Sequence, residues 1–179
     1  MSKVKIIGIC GYARSGKDEA AKALIALGWT RAAFADALKQ EALNAIRMSL
    51  IAAGHNPPSD LETLFTNPDT KELYRPFLVE YGRTLRKIDP DHWVRRLYRE
   101  LDANRRYVIT DVRYRNEVDF IHKEGGLVVQ IVRPNVGPAN NEEKVSMELV
   151  RADYHIYNNG TIDRLHGEMV TYAKEKASE

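Results

Sequence analysis

The apolar residues of this chain follow two patterns that take turns along the sequence. One is a short continuous apolar run, typical of a strand, and the other is helical spacing, typical of a helix. Short apolar runs predict buried strands at 4–10, 107–110, 127–132 and 154–157, with a short extended piece at 29–34. Apolar residues at helical spacing predict helices over about 16–27, 36–53, 69–87, 91–103, 114–124 and from 161 onward. We expect a three-layer α/β/α fold around a parallel central sheet, because strands and helices take turns.

Two stretches interrupt this rhythm. Residues 36–103 form a long, mostly helical insertion, and Asp36 is the expected N-cap of its first helix. Residues 134–150 are predicted to be a flexible, lid-like loop, because the segment is polar and rich in Pro, Gly and Asn. Both leave from the carboxyl edge of the sheet, where open α/β sheets bind ligands. We therefore expect a single domain over 1–179, with an acceptor-binding insertion and a short lid.

The segment that joins the first strand to the first helix reads Gly11-Tyr12-Ala13-Arg14-Ser15-Gly16-Lys17-Asp18. A G-x-x-x-x-G-K pattern in this context is typical of a phosphate-binding P-loop, whose backbone N–H groups surround a polyphosphate. The helix that follows turns its positive dipole end toward the same anion, and Lys17 adds a charge. The alternative is an ordinary glycine-rich turn. The pattern predicts binding of a nucleoside triphosphate.

Two carboxylates near this loop are candidates for holding magnesium. Asp18 stands where the P-loop pattern usually has Ser or Thr, and a carboxylate is also a hard oxygen ligand. Asp111 ends an apolar strand, which is the position of a Walker-B acid. Asp18 could instead favour only the helix dipole, and Asp111 could cap the next helix.

Several arginines could neutralise the charge of a transferring phosphate. Arg14 lies in the loop itself, and Arg113 follows Asp111, although Arg113 and Glu117 could form an ordinary surface ion pair at helical spacing. The remaining basic candidates, for which a solvated surface position is the alternative, are Arg75, Arg83, Arg86 and Arg133.

The composition of the chain bears on its partners, its cellular compartment and metal binding. The chain has 27 basic and 25 acidic side chains, and a net charge of +2 does not favour nucleic acid or a membrane surface as a partner. Cys10 is the one cysteine and lies in the first strand, which favours a reducing cytoplasm over a disulfide-forming compartment. The five histidines lack metal-ligand spacing. We expect no secretory leader, because Lys3 and Lys5 interrupt the apolar start, and no transmembrane stretch.

With these motifs the chain resembles the deoxynucleoside monophosphate kinases of tailed bacteriophages, a branch of the P-loop nucleoside monophosphate kinases. The resemblance covers nearly the whole chain, through Gly11-x-x-Arg14-Ser15-Gly16-Lys17-Asp18, 34–39, 81–85, 91–94, 108–113 with Asn116-Glu117, 125–126, 132–134 and 156–161. Aspartate after the P-loop lysine is typical of this family. The family often has a His-x-Ser/Thr-Glu segment before the last strand, whereas this chain reads Lys144-Val145-Ser146-Met147-Glu148, which leaves the lid's contribution open.

The resemblance implies transfer of the γ-phosphate of ATP, with Mg²⁺, to a deoxynucleoside 5′-monophosphate. It implies ATP contacts at Gly11, Ala13, Arg14, Ser15, Gly16, Lys17, Asp18, Glu19, Arg133 and Asn158. It implies acceptor contacts at Asp36, Leu38, Lys39, Arg75, Gly82, Arg83, Arg86, Trp93, Asp111, Arg113 and Glu117. Lys17, Arg14, Arg113 and Asp111 would serve the transfer itself, in a cytoplasmic enzyme (host cytoplasm for a phage protein), with a homodimer left open.

Two rival hypotheses remain at this stage. The first is a P-loop kinase that acts on another small acceptor, such as a cofactor precursor. The second is a nucleotide-binding switch that hydrolyses ATP without phosphorylating an acceptor. The sequence shows no long basic arm or arginine-finger partner motif in favour of the switch.

Overall fold

A five-stranded parallel sheet forms the centre of the structure, a computed structural model that describes residues 5–177. The strands are β1 (Lys5–Cys10), β2 (Thr30–Ala32), β3 (Arg106–Ile109), β4 (Leu127–Val132) and β5 (Tyr154–Tyr157). Their order across the sheet is β2-β3-β1-β4-β5, and all four pairings are parallel. The predicted parallel α/β sheet is confirmed, although Val4 of the first predicted strand lies outside the described residues.

Seven α-helices and one short 3-10 helix accompany the strands in the described part of the chain. The α-helices are α1 (Lys17–Ile25), α2 (Phe34–Ala52), α3 (Pro68–Ile88), α4 (His92–Tyr98), α5 (Arg115–Lys123), α6 (Asn141–Leu149) and α7 (Ile162–Ala177). The 3-10 helix (Leu61–Thr63) lies between α2 and α3. None of the helices within residues 5–177 combines the length and apolar character needed to cross a bilayer.

The described residues form two compact units. The sheet unit contains the chain up to Ala33 and from Tyr98 onward, and the helical unit is Phe34–Leu97. The helical unit thus interrupts the sheet unit in sequence, between β2 and β3. This corresponds to the insertion expected at 36–103, with slightly different ends.

The core of the sheet unit consists of aliphatic side chains from the central strands. Ile9, Val108, Val129 and Ile156 are fully buried in it. Cys10 is also fully buried, and burial raises the pKa of its thiol to about 12. Cys10 is therefore a small core residue without the thiolate character that a nucleophile needs.

The helical unit has its own small core. Ala42 and Leu43 of α2 pack with Leu61 and Phe65, and α3 covers them. A row of aromatic contacts continues from Phe65 through Phe77 and Tyr81 to Trp93. These aromatic contacts link α3 to α4, the last helix of the unit.

Three expectations from the sequence are wrong in detail. Helix α2 begins at Phe34, so Asp36 lies inside the first turn, where its charge still favours the helix dipole. Helix α4 ends at Tyr98 rather than near 103. The expected loop at 134–150 contains helix α6, whose N-cap Asn140 accepts a hydrogen bond from the Glu143 backbone N–H at 2.8 Å.

Candidate active site

The loop between β1 and α1 has the backbone of a phosphate-binding turn. Gly11 and Gly16 adopt positive φ angles of 136° and 105°. A side chain at Gly11 would place its Cβ 2.5 Å from the Ile131 carbonyl oxygen, so this position requires glycine for space as well as for backbone angle. Arg14 also has a positive φ, 64°, which is uncommon for a residue with a side chain. The sequence motif and the backbone therefore agree.

Lys17 is the first residue of α1, and its side chain folds back over this loop. Its Nζ donates to the carbonyl oxygens of Gly11 and Tyr12, both at 2.8 Å. Burial, and next the positive charge of Arg113, lower the pKa of Lys17 below its ordinary value of 10.5, while Glu143 and Asp18 partly oppose this. An anion bound beside Lys17 would offset both unfavourable effects.

Three side chains from the last third of the chain hold the loop from outside. Glu143 Oε1 accepts from the Ala13 N–H at 3.0 Å, and Asn158 Nδ2 donates to the Ser15 carbonyl oxygen at 2.8 Å. Arg133 makes a long contact of 3.5 Å to the Arg14 carbonyl oxygen. Arg133 and Asn158 were expected near ATP, and both lie against the predicted phosphate-binding loop.

Glu143 was not predicted. The spacing Asn140-x-x-Glu143 is a capping signal, so the sequence could have indicated the start of α6. Its contact with Ala13 joins residues 130 positions apart, which no local pattern predicts.

The segment after β3 reaches the same edge of the sheet, because β3 is the neighbour of β1. The Val112 N–H donates to the Ile9 carbonyl oxygen at 3.2 Å, which fixes this segment beside the start of the loop. Asp111 is half-buried here and Arg113 is exposed. The positive charge of Arg113 contributes to the lowered pKa of Lys17.

Glu117 caps the start of α5, a role that was not considered from the sequence, and its expected contact with the acceptor stays a prediction. Its side chain is buried, and its Oε2 accepts from the backbone N–H groups of Arg113 at 2.7 Å and Tyr114 at 3.1 Å. Glu117 therefore holds the backbone that carries Arg113, as a cap at the start of α5.

The two acids at the start of α1 differ in their surroundings. Asp18 is exposed, whereas Glu19 contacts Lys22 at 2.7 Å and His166 at 3.1 Å. No cluster of three or more His, Cys, Asp or Glu that could hold a metal occurs in residues 5–177. A Mg²⁺ bound by one or two carboxylates together with substrate phosphates needs no such cluster.

The expected acceptor residues of the helical unit lie on α2, α3 and α4. Asp36, Leu38 and Lys39 are in the first two turns of α2. Gly82 of α3 packs closely against Leu38, because a Cβ at Gly82 would lie 2.5 Å from Leu38 Cδ1. The arginines expected to contact the acceptor, all on α3, are Arg75, Arg83 and Arg86. Arg75 and Arg83 each pair with a glutamate one turn earlier, Glu72 and Glu80, at 3.4 and 3.2 Å.

Trp93 differs from the other acceptor candidates because it is 1% exposed. Its indole N–H donates to the Gly82 carbonyl oxygen at 3.2 Å, so it fixes α4 against α3. Such a ring offers no free face to a nucleotide base in this conformation.

A polar cluster in the helical unit centres on the carboxylate of Glu41. The sequence analysis did not predict this cluster. His92 Nε2 lies 2.9 and 3.1 Å from the two Glu41 oxygens, Tyr81 Oη lies 3.4 Å away and Arg96 Nε 3.7 Å away.

Comparison with known proteins identifies relatives of this chain. A protein of Acanthamoeba polyphaga mimivirus, named "Putative deoxynucleotide monophosphate kinase", is 28% identical over 182 residues, which cover 93% of this chain and 94% of that protein. Two solved structures resemble the fold: the dephospho-CoA kinase from Campylobacter jejuni and TT1252 from Thermus thermophilus. Each is 18% identical with a TM-score of 0.51, and the alignments cover 96% and 97% of this chain and 97% and 98% of those chains. At that identity the two structures support the fold alone.

A family model described as phosphomevalonate kinase matches residues 9–126. The matched segment runs from the end of β1 through the phosphate-binding loop and the helical unit to the end of α5, and thus includes Lys17, Asp111 and Arg113. The chain is a kinase of the P-loop type and belongs to the phosphomevalonate kinase family.

Proposed function

We propose that this protein transfers the γ-phosphate of ATP to a deoxynucleoside 5′-monophosphate and releases the diphosphate. The observation that carries this proposal is the similarity to the mimivirus protein, whose name describes such an acceptor. The similarity covers 93% of the chain, so it includes the helical unit as well as the phosphate-binding loop.

On the donor side, the loop from Gly11 to Lys17 would bind the triphosphate of ATP through backbone N–H groups at the start of α1. Lys17, Arg14 and Arg113 would offset the negative charge that develops on the oxygens of the transferring group. The lowered pKa of Lys17, to which the charge of Arg113 contributes, supports this assignment, because a bound anion would offset that effect.

Asp18 and Asp111 would hold Mg²⁺, directly or through water. Carboxylate oxygens fit the preference of this ion, and the metal would supply charge neutralisation on the phosphate oxygens. Asp18 is exposed next to Lys17, and Asp111 directly follows β3, the strand next to β1, so both residues lie at the loop edge of the sheet.

On the acceptor side, Leu38 and Lys39 of α2 with Arg75, Arg83 and Arg86 of α3 would contact the monophosphate substrate. Helices α2 and α3 are in contact at Leu38 and Gly82, which supports a shared role for side chains near this contact. The acceptor phosphate is already an anionic nucleophile, so the reaction requires no general base.

The family match favours a second candidate, transfer to a different phosphorylated small molecule. The description of that family names phosphomevalonate, which like a nucleoside monophosphate offers a phosphate group as acceptor. This alternative keeps the donor-side roles and changes only what the helical unit recognises.

Product analysis separates the two candidates. The purified protein is incubated with ATP and Mg²⁺ and with one acceptor at a time: each common dNMP, the matching ribonucleotide, phosphomevalonate and a set of free alcohols. We expect a diphosphate from at least one dNMP. Product from phosphomevalonate alone would replace the proposal by the second candidate, and ATP loss without any phosphorylated acceptor would contradict both.

A further inference from the structure

Glu143 connects helix α6 to the phosphate-binding loop. Its side chain accepts two backbone hydrogen bonds, from the Ala13 N–H to Oε1 at 3.0 Å and from the Ala139 N–H to Oε2 at 2.6 Å. The residue is 9% exposed, and its own N–H donates to the N-cap side chain of Asn140. Both carboxylate oxygens of Glu143 therefore accept a hydrogen bond, and its backbone N–H is hydrogen-bonded as well.

The residue that follows Ala13 is in an unfavourable conformation. Arg14 has a φ of 64°, which an arginine keeps only when the surrounding structure fixes the backbone on either side of it. Glu143 fixes the preceding residue through the Ala13 N–H. Asn158 fixes the following residue, through the Ser15 carbonyl oxygen. Glu143 is the charged member of this pair and forms the stronger kind of hydrogen bond.

Glu143 engages the amide of Ala13, and the Ser15 N–H of the same loop donates to the Tyr12 carbonyl oxygen at 3.1 Å. The amides at the start of α1 have no partner within the helix because they belong to its first turn. Its charge also attracts Lys17 and so supports the protonated side chain in the loop. Glu143 therefore fixes the loop through the Ala13 amide, one of the expected ATP contacts, and leaves the amides at the start of α1 to an anion.

We propose that Glu143 is a positioning residue of the ATP site, which shapes the phosphate-binding loop by holding the Ala13 amide against helix α6. The inference depends on the proposed function only in that ATP is the phosphate donor. It does not depend on which acceptor the helical unit takes.

Three variants test this role. Glu143→Ala removes both accepting oxygens, and Glu143→Gln keeps one. Glu142→Gln is the matched control, because it removes the same charge from the adjacent, exposed position and retains an acceptor for the Tyr114 hydroxyl. Binding of a non-hydrolysable ATP analogue with Mg²⁺ is measured by calorimetry without an acceptor, and circular dichroism checks the fold.

We expect Glu143→Ala to weaken analogue binding about 10- to 100-fold, as for loss of a charged hydrogen bond, with a smaller loss in Glu143→Gln and none in Glu142→Gln. The KM for ATP should rise while the KM for the acceptor stays unchanged, a split that general loss of stability would not give. If Glu143→Ala does not fold, analogue binding by Glu143→Gln alone tests the proposal.

Unchanged analogue binding in the Glu143 variants would overturn the proposal. Tighter binding would also overturn it, since the carboxylate would then compete with phosphate for the loop, and so would an equal loss in Glu142→Gln. Failure of every dNMP as acceptor would leave these binding results intact and would count against the proposed acceptor only. A wild-type protein that does not bind the analogue would overturn both proposals.

Discussion

Lys17 is a charged side chain in a place where burial disfavours charge. Its pKa is lowered mainly by burial and then by Arg113, and two backbone carbonyl oxygens accept its hydrogen bonds. A protein gains nothing in stability from such an arrangement alone. The arrangement becomes favourable when a polyphosphate brings opposite charge, so we interpret it as a site prepared for an anion.

We predict that Lys17→Met lowers turnover by about 10³-fold or more while the fold stays intact, because it removes the cation nearest the transferring phosphate. The wild-type affinity for ATP should decrease as the pH rises, because Lys17 loses its positive charge. Since the pKa of Lys17 is lowered in the free protein, this decrease should begin at a pH below 10.5. Steady-state kinetics and titrations with an ATP analogue across alkaline pH measure both effects. Near-normal turnover, or the same alkaline decline in Lys17→Met, would contradict this role.

The roles of single residues could be predicted only where a local pattern defines them. Lys17 belongs to a sequence motif that fixes its backbone, so its place followed from the sequence. Glu117 and Trp93 are both buried, and each forms a hydrogen bond to a backbone group. The sequence shows their residue types but not which way their side chains point, because that direction depends on packing.

At the scale of elements, the start of helix α5 determines where Arg113 lies. Glu117 accepts from the backbone N–H groups of Arg113 and Tyr114, and no water can replace it easily at a position that is 2% exposed. The cap therefore connects the stability of α5 to the geometry of a proposed catalytic cation.

We predict that Glu117→Ala lowers the free energy of unfolding by about 1–3 kcal/mol, because it leaves two partly buried backbone donors without their acceptor. Glu117→Gln retains an oxygen for these donors and should lose less. Urea unfolding of the two variants and the wild type gives the comparison. An unfolding free energy of Glu117→Ala equal to that of the wild type would show that the cap is not needed.

Strands were easier to predict than helix ends. The runs at 127–132 and 154–157 match β4 and β5 to the residue, since short runs rich in β-branched and aromatic residues favour strands, although Ile156 is the one buried residue of β5. Helix α6 was missed because its segment begins with Pro, Gly and Asn and carries few apolar residues. Its stability comes from the Asn140 cap and from buried Glu143, Ser146 and Met147, contacts that only the folded chain provides.

At the scale of the whole molecule, a helical unit is inserted between β2 and β3, and the proposed function divides donor binding and acceptor binding between the two units. The sheet unit carries the phosphate-binding loop, and the helical unit carries the basic side chains of α3. The order of elements could be predicted from the sequence, whereas the order of strands across the sheet and the acceptor could not. Strand order depends on long-range pairing, and acceptor choice on the detailed surface of the helical unit.

We predict that Arg83→Ala mainly raises the KM for the acceptor, by about tenfold or more, because an exposed arginine that binds a phosphate contributes a charged hydrogen bond. Lys87→Ala is the matched control, since Lys87 is an exposed cation on the same helix outside the proposed site. Initial rates at varied acceptor concentration and saturating ATP give the KM for the acceptor in each of the two variants. An unchanged KM in Arg83→Ala, or an equal rise in Lys87→Ala, would remove Arg83 from the acceptor site.

The fate of the terminal phosphate decides whether the protein is a deoxynucleoside monophosphate kinase. The protein is incubated with Mg²⁺, a dNMP and ATP labelled in its γ-phosphate, and the products are separated by chromatography. We expect the label to appear in the deoxynucleoside diphosphate, at a rate that Lys17→Met abolishes. Label found in inorganic phosphate alone, with every dNMP unchanged, would contradict the proposed transfer.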